Sequence, residues 1–134
     1  MRVMLDTNVL ISAFVFQSKH ISDMIDVLTD EHTIVLSSYV IDELKRVVAA
    51  KFSHKSVSLD IFLTNLPFEF VYTPDNIDKD KYPTLRDIDD VPVLATAIIE
   101  DVDVLLTGDK DFENLGLERP AILTPAHFVQ LHGK

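Results

Sequence analysis

The chain contains no cysteine, no tryptophan and only three glycines in 134 residues. Without cysteine there is no disulfide framework and no thiolate metal site. With so few glycines and no glycine-rich loop, the motifs for nucleotide binding of the P-loop or Rossmann kind are missing, which argues against it. No apolar run reaches the ~18 residues that a membrane-spanning helix needs. The start Met1-Arg2-Val3 leads directly into a strand-like segment and lacks the apolar stretch of a signal peptide. A cytoplasmic protein with no membrane partner is the expectation. Positive charge is scarce too: the formal net charge is -10. That argues against broad electrostatic attraction to nucleic acid.

What is present is an ordinary globular composition, 47% hydrophobic and 25% charged, at a length that suits one compact domain over residues 1–134. The charge is uneven. Residues 75–118 hold 13 acids and 4 bases, so most of the negative charge lies there. The segment 45–55 is the reverse, with Lys45, Arg46, Lys51 and Lys55 and no acid. A solvated helix face explains it simply. The alternative is a local strip that holds phosphates beside an acidic centre.

Short β-branched runs alternate with helix-like stretches, the pattern of an α/β protein. Strands are expected at Arg2–Leu5, Thr33–Leu36, Phe68–Tyr72, Val102–Leu106 and Ala121–Leu123. Helices are expected over Asn8–Phe16, Ile21–Thr29, from Ser37 or Ser38 onward, Ser56–Leu66, from Asp89-Asp90 to about Glu100, and Pro125–Leu131. Val40, Ile41, Leu44, Val47 and Val48 recur at helical spacing and predict the apolar face of the third helix. Thr73–Asp89 reads as a surface loop with at most one helical turn, and a loop of that length is often functional.

Acidic residues fall where the strands stop. Asp6 ends the run Val3-Met4-Leu5, and Asp109 follows Val104-Leu105-Leu106 after Thr107-Gly108. Glu43 and Asp90 lie near the starts of expected helices. In a parallel sheet, strand ends and the helix starts that follow them meet on one edge, where ligand sites lie. Four carboxylates gathered there would repel one another and would need a cation. Oxygen ligands without cysteine, and five histidines without ligand spacing, favour Mg²⁺ or Mn²⁺ over zinc.

Each acid alone has a simpler reading. Asp6 or Asn8 could cap a helix. Glu43 could pair with Arg46 on the surface. Asp89 and Asp90 could stabilise a helix N-terminus, which leaves open which of them faces inward. Asp109 could form an Asx turn, with Gly108 permitting a sharp bend after the strand. The cation account gains on these because it covers all four acids at one edge.

The same residues carry a resemblance. The chain resembles the PIN-domain family, and within it the VapC-like toxins of prokaryotic toxin–antitoxin pairs. The opening Asp-Thr-Asn motif stands as Leu5-Asp6-Thr7-Asn8-Val9-Leu10. A Ser-x-x-x-x-Glu-Leu pattern falls on Ser38 and Glu43-Leu44, and Asp90 with Ala95 and Ala97 matches the third motif. Thr107, Asp109, Asp111 and Phe112 match a Thr-x-Asp-x-Asp-Phe pattern. Pro92 is a mild departure, tolerable in a first helical turn.

The resemblance implies a three-layer α/β/α sandwich with a mainly parallel central sheet, and metal-dependent RNA hydrolysis. It implies Asp6, Glu43, Asp90 and Asp109 as catalytic and metal-binding acids, Asp111 as a further ligand, and Asn8 and Thr107 as supporting polar residues. Lys45, Arg46, Lys51 and Lys55 are candidates for RNA contact. A small antitoxin protein and a second copy of the chain are the implied partners. Two other classes compete. One is a scaffold of the same fold that binds RNA or protein without cutting. The other is a phosphate-transfer domain, which Asn8 disfavours because a haloacid-dehalogenase-type phosphatase needs a second aspartate there.

Overall fold

Five short parallel strands run through the centre of the protein in the order β3-β2-β1-β4-β5. They are β1 (Arg2–Leu5), β2 (Thr33–Ser37), β3 (Glu69–Val71), β4 (Val104–Leu106) and β5 (Ala121–Leu123). The structure is a computed structural model and describes residues 1–17 and 19–133. Every strand pairing is parallel, with Met4 in register with Val35 on one side and Leu105 on the other. Val3, Met4 and Leu5 are fully buried. That explains their uninterrupted apolar run, since a central parallel strand is covered on both faces.

The helices are α1 (Thr7–Ile11), α2 (Lys19–Glu31), α3 (Ser38–Lys51), α4 (Ser56–Asn65), α5 (Val91–Ile99) and α6 (Pro125–His132). The chain steps from β1 to β2 to β3 in one direction, then returns to add β4 and β5 on the other side of β1. Right-handed crossovers in opposite directions place the connecting helices on opposite faces. The result is the expected three-layer α/β/α sandwich. Among the described residues, no helix is long and apolar enough to cross a membrane.

Most expected elements appear with shifts of one to three residues at their ends, and four differences have identifiable causes. The helix expected over Asn8–Phe16 is α-helical only to Ile11, then widens into a π turn over Ser12–Phe16. Gln17, with φ 44°, closes that turn by donating its N–H to the Ser12 carbonyl five residues back. The loop 73–89 carries two short turns rather than one, at Lys79–Lys81 and Ile88–Asp90. The fifth helix starts at Val91, because Asp87 accepts from the Asp89 N–H and organises the preceding turn. Gly108 does not supply a glycine-only bend: its φ is not left-handed, and an added Cβ would meet nothing within 4 Å.

The parallel sheet puts all strand carboxyl ends on one edge, and polar residues stand there. Asp6 follows β1, Ser37 ends β2, Thr107 follows β4 and Thr124 follows β5. Three of them cap helices: Asp6 accepts from Thr7, Ser37 from Val40 and Thr124 from His127. Ser37 is fully buried, so no water replaces its oxygen at the α3 N-terminus. Ser37→Ala is expected to cost about 1 kcal/mol and to lower the melting temperature by about 4 °C. Thermal denaturation followed by circular dichroism checks this, and an unchanged melting temperature would contradict it.

Candidate metal centre

The order of strands reverses at β1 and β4, and the crevice outside the carboxyl ends of those two strands is the expected ligand position. Asp6 and Thr107 face each other across it. The Asp6 N–H donates to the Leu106 carbonyl at 3.0 Å, which extends the β1–β4 ladder to the site itself. The Asp6 carboxylate is held at both oxygens. Oδ1 accepts from the Thr7 N–H at 2.7 Å and Oδ2 from the Thr107 hydroxyl at 2.9 Å. Thr107 Oγ1 in turn accepts from the Asp109 N–H at 3.0 Å. A buried threonine thus connects two of the candidate acids.

Asp109 also makes the Asx turn, accepting from the Asp111 N–H at 2.9 Å. The next residue, Phe112, is fully buried and anchors the turn in the core. Asp111 is thereby turned toward the other acids. Single carboxylate oxygens of Asp90, Asp109 and Asp111 lie within 4.8 Å of one another. Asp90 occupies the N-cap position of α5 yet makes no capping bond with its side chain. Its Oδ2 is buried with no hydrogen-bond partner. Asp89, by contrast, is exposed, and its carbonyl accepts from the Tyr39 hydroxyl at 3.0 Å. Of the adjacent pair, Asp90 is the one turned into the cluster.

Glu43 lies in the second turn of α3 and is partly buried. It makes no ion pair with Arg46 among the described residues, so the surface-pair reading is not what the structure has. Its charge is felt at Asp6. It stands outside the tight group of Asp90, Asp109 and Asp111. Asn8 is exposed on the first turn of α1. Lys45 and Arg46 are exposed on the turn that follows Glu43. Lys51 lies eight residues beyond Glu43, about 12 Å down the helix axis and away from the site edge. Lys55 is further still, with its ammonium 6.0 Å from the Phe14 ring centroid.

The electrostatics are unbalanced. Burial pushes the Asp6 carboxyl above the ordinary range; bonds from Thr107 and Thr7 oppose this, and Glu43 and Asp109 reinforce it. Asp90 is pushed up to about 7, first by burial, then by the charge and contact of Asp109, with Asp6 and Asp87 adding to it. Two like charges at the 4.8 Å limit repel by about 3 kcal/mol at an effective dielectric of ~20. A helix cap is worth about 1 kcal/mol. Capping therefore does not explain why these acids are held together. Among the described residues, the base paired with this group is Arg86, 3.8 Å from Asp111 with its side chain 90% exposed, which offsets little.

The opposite edge of the sheet shows what balance looks like. There Arg2 pairs with Glu69 and Glu100, and Arg119 pairs with Asp101 and Asp103. Each acid there has a guanidinium within ion-pair distance, two arginines serving four carboxylates at the amino edge. At the carboxyl edge the charge is left for something the chain itself does not supply. An unpartnered buried oxygen on Asp90, with two more carboxylates in reach, fits a hard divalent cation.

The sequence reading took the Thr7 hydroxyl only as part of the Asp6 segment and passed over Asp87 and Tyr39. Thr7 is buried with its hydroxyl unpartnered, Asp87 adds to the field at Asp90, and Tyr39 sits against Asp89. Thr7 lies inside the Asp-Thr-Asn motif and was within reach of motif reasoning. Asp87 acts on Asp90 through the local turn that it caps, and Tyr39 reaches Asp89 from a segment remote in sequence.

Fold and site together define a class, that of α/β/α proteins with an acidic cluster at the carboxyl edge of a parallel sheet. The chain belongs to the PIN domain family, whose model matches residues 2–111. Ten chains among solved structures are similar to it. One is the crystal structure of VapBC2 from Rickettsia felis bound to a DNA fragment from their promoter. That likeness covers 92% of this chain and 97% of the other, with a TM-score of 0.71 and 24% identity. Comparison with curated proteins gives no match.

The raised Asp90 pKa has a consequence for stability. A carboxyl whose folded-state value, about 7, exceeds its unfolded value of 3.8 destabilises the fold as pH rises through that window. In chelator, Asp90→Asn is expected to melt a few degrees above the parent at pH 8, roughly 1–2 kcal/mol. The difference should shrink as pH falls through that window and close only below the unfolded value of 3.8, where both states carry the proton. A variant that melts below the parent at pH 8 would refute the electrostatic account.

Proposed function

We propose that this chain is a metal-dependent endoribonuclease and the toxin component of a toxin–antitoxin pair. The observation that carries the reading is the group of carboxylates within 4.8 Å, with a buried unpartnered oxygen on Asp90. Membership of the PIN domain family supports nuclease chemistry, and likeness to a VapBC2 structure supports the toxin role.

In this reading Asp90, Asp109 and Asp111 hold Mg²⁺ or Mn²⁺, with Asp6 and Glu43 completing the acidic centre. When bound, the cation supplies an activated water and offsets the charge that develops on the phosphate. The protein's own contribution is orientation. Thr7 and Thr107 fix both Asp6 oxygens, leaving the carboxylate no freedom to turn toward solvent. Supporting partners of this sort are commonly worth 10–100-fold in metal affinity or activity. Thr107 also ties the Asp109 backbone to Asp6, so the acids move as a unit. Lys45 and Arg46, one turn beyond Glu43, are placed to hold flanking phosphates. Lys51 at the end of α3 and Lys55 in the turn after it are candidates for contact with RNA further from the cut. A protein of this type would work in the cytoplasm, paired with a small antitoxin and assembled as a homodimer.

Asp6→Asn tests the reading. The amide preserves the shape of the side chain and removes its charge. Cleavage of single-stranded RNA in Mg²⁺ or Mn²⁺ should fall by about 100-fold or more, beyond what loss of a supporting partner does. The circular dichroism spectrum should remain that of the parent. Undiminished cleavage by the purified, folded variant would overturn the assignment.

A further inference from the structure

A cavity of about 750 Å³ opens on the surface of the protein. It lies between the start of α3, the loop that follows β3, and Pro92 at the start of α5. Tyr39, Asp42 and Pro92 line one side, and Asp75, Asn76 and Asp78 the other. It shares two elements with the candidate metal centre. Asp42 precedes Glu43 on α3, and Pro92 stands two residues after Asp90. Tyr39 joins them: its hydroxyl donates to the Asp89 carbonyl at 3.0 Å, and its phenol feels the charges of Glu43, Asp89 and Asp90.

The loop wall is fixed to the sandwich. The Thr73 N–H donates to Ser38 Oγ at 2.9 Å, and the Thr73 and Thr96 hydroxyls are 2.9 Å apart. The Asp78 carboxylate accepts from the Asp80 N–H at 3.1 Å and sets the turn at the rim. This is a formed depression rather than a gap between loose segments.

Its chemistry is selective. Three carboxylates and one lysine, Lys79, repel a phosphate, so an RNA backbone would pass outside. The uncharged part of RNA is the base. An aromatic ring and prolines offer flat apolar contact, and a cavity of a few hundred Å³ or more accommodates a planar ligand. Ionised carboxylates only accept hydrogen bonds. They favour a base edge with adjacent N–H donors and disfavour one that presents carbonyls. Guanine has two adjacent donors on its Watson–Crick edge. Uracil has one, flanked by two carbonyl oxygens.

We propose that this cavity is a nucleobase subsite of the RNA-cleaving centre that prefers guanine and rejects uracil. It rests on the nuclease reading for its place in the reaction, and on the cavity's own chemistry for its ligand. A basic side chain of a partner protein is the competing occupant. The volume and the flat Tyr39 and Pro92 contacts favour a base over a single guanidinium.

The test separates this idea from the nuclease assignment. The full chain, labelled with ¹⁵N, is titrated with guanosine, with uridine and with a blocked arginine amide, and amide shifts are followed. Guanosine should shift the amides of Tyr39, Asp42 and Asn76, and uridine should leave them in place. Asp42→Asn should weaken guanosine binding by about fivefold or more, the low end of what one paired base contact is worth. In parallel, the parent is given two RNA oligonucleotides that differ only by guanine or uracil beside the cut. Guanosine shifts without RNA cleavage would keep the subsite and sink the nuclease reading. Cleavage with equal use of both oligonucleotides and no guanosine shift would sink the subsite alone. Shifts with arginine amide and none with guanosine would hand the cavity to a protein partner and overturn the proposal.

Discussion

Repulsion among carboxylates at the carboxyl edge of the sheet is the constraint on which the rest of this structure turns. A parallel sheet with its order reversed between β1 and β4 brings Asp6 and Asp109 to one crevice whatever their charge. The start of α5 adds Asp90, and Asp111 follows from the turn after β4. Each close pair costs about 3 kcal/mol at an effective dielectric of ~20, against a total stability of about 10 kcal/mol for a domain of this length. A fold that only needed helix caps would not keep such an arrangement. The amino edge shows the alternative in the same molecule, where Arg2 and Arg119 each form ion pairs with two acidic neighbours.

Rigidity and charge are coupled through few atoms. The Thr107 hydroxyl gives its proton to Asp6 and accepts one from the Asp109 backbone, so a single buried side chain sets the distance between two acids. Phe112, fully buried, fixes the turn that carries Asp109 and Asp111. Asp87 takes over the work of organising the turn before α5, which frees Asp90 from capping. Tyr39 then connects this turn to α3 and so to the neighbouring cavity. A metal centre and a base subsite would share one framework.

Much of this was legible in the sequence because the relevant signals are local. The apolar run Val3-Met4-Leu5 ending in Asp6 marks a doubly covered parallel strand and its carboxyl end. Arg2–Leu5 and Ala121–Leu123 were readable to the residue, and the α3 face from Val40 to Val48 followed from spacing. The simple roles of the acids also proved partly real: Asp6 does accept from Thr7, and Asp109 does form an Asx turn. A carboxylate has two oxygens, so local bonding does not exclude membership of a cluster. What local patterns do not carry is orientation. The choice of Asp90 over Asp89 depends on how a turn at Ile88–Asp90 rotates the chain before α5. The π turn after Ile11 and the cavity wall at Thr73 depend on partners distant in sequence.

The central claim is that the acids at the carboxyl edge exist to hold a divalent cation. Titration of chelator-treated protein with Mn²⁺, read by the electron paramagnetic resonance signal of the free ion, measures it directly. Saturable uptake is predicted, displaced by excess Mg²⁺ and lost in Asp109→Asn. Linear loss-free recovery of the free Mn²⁺ signal, identical for the parent and Asp109→Asn, would contradict the account.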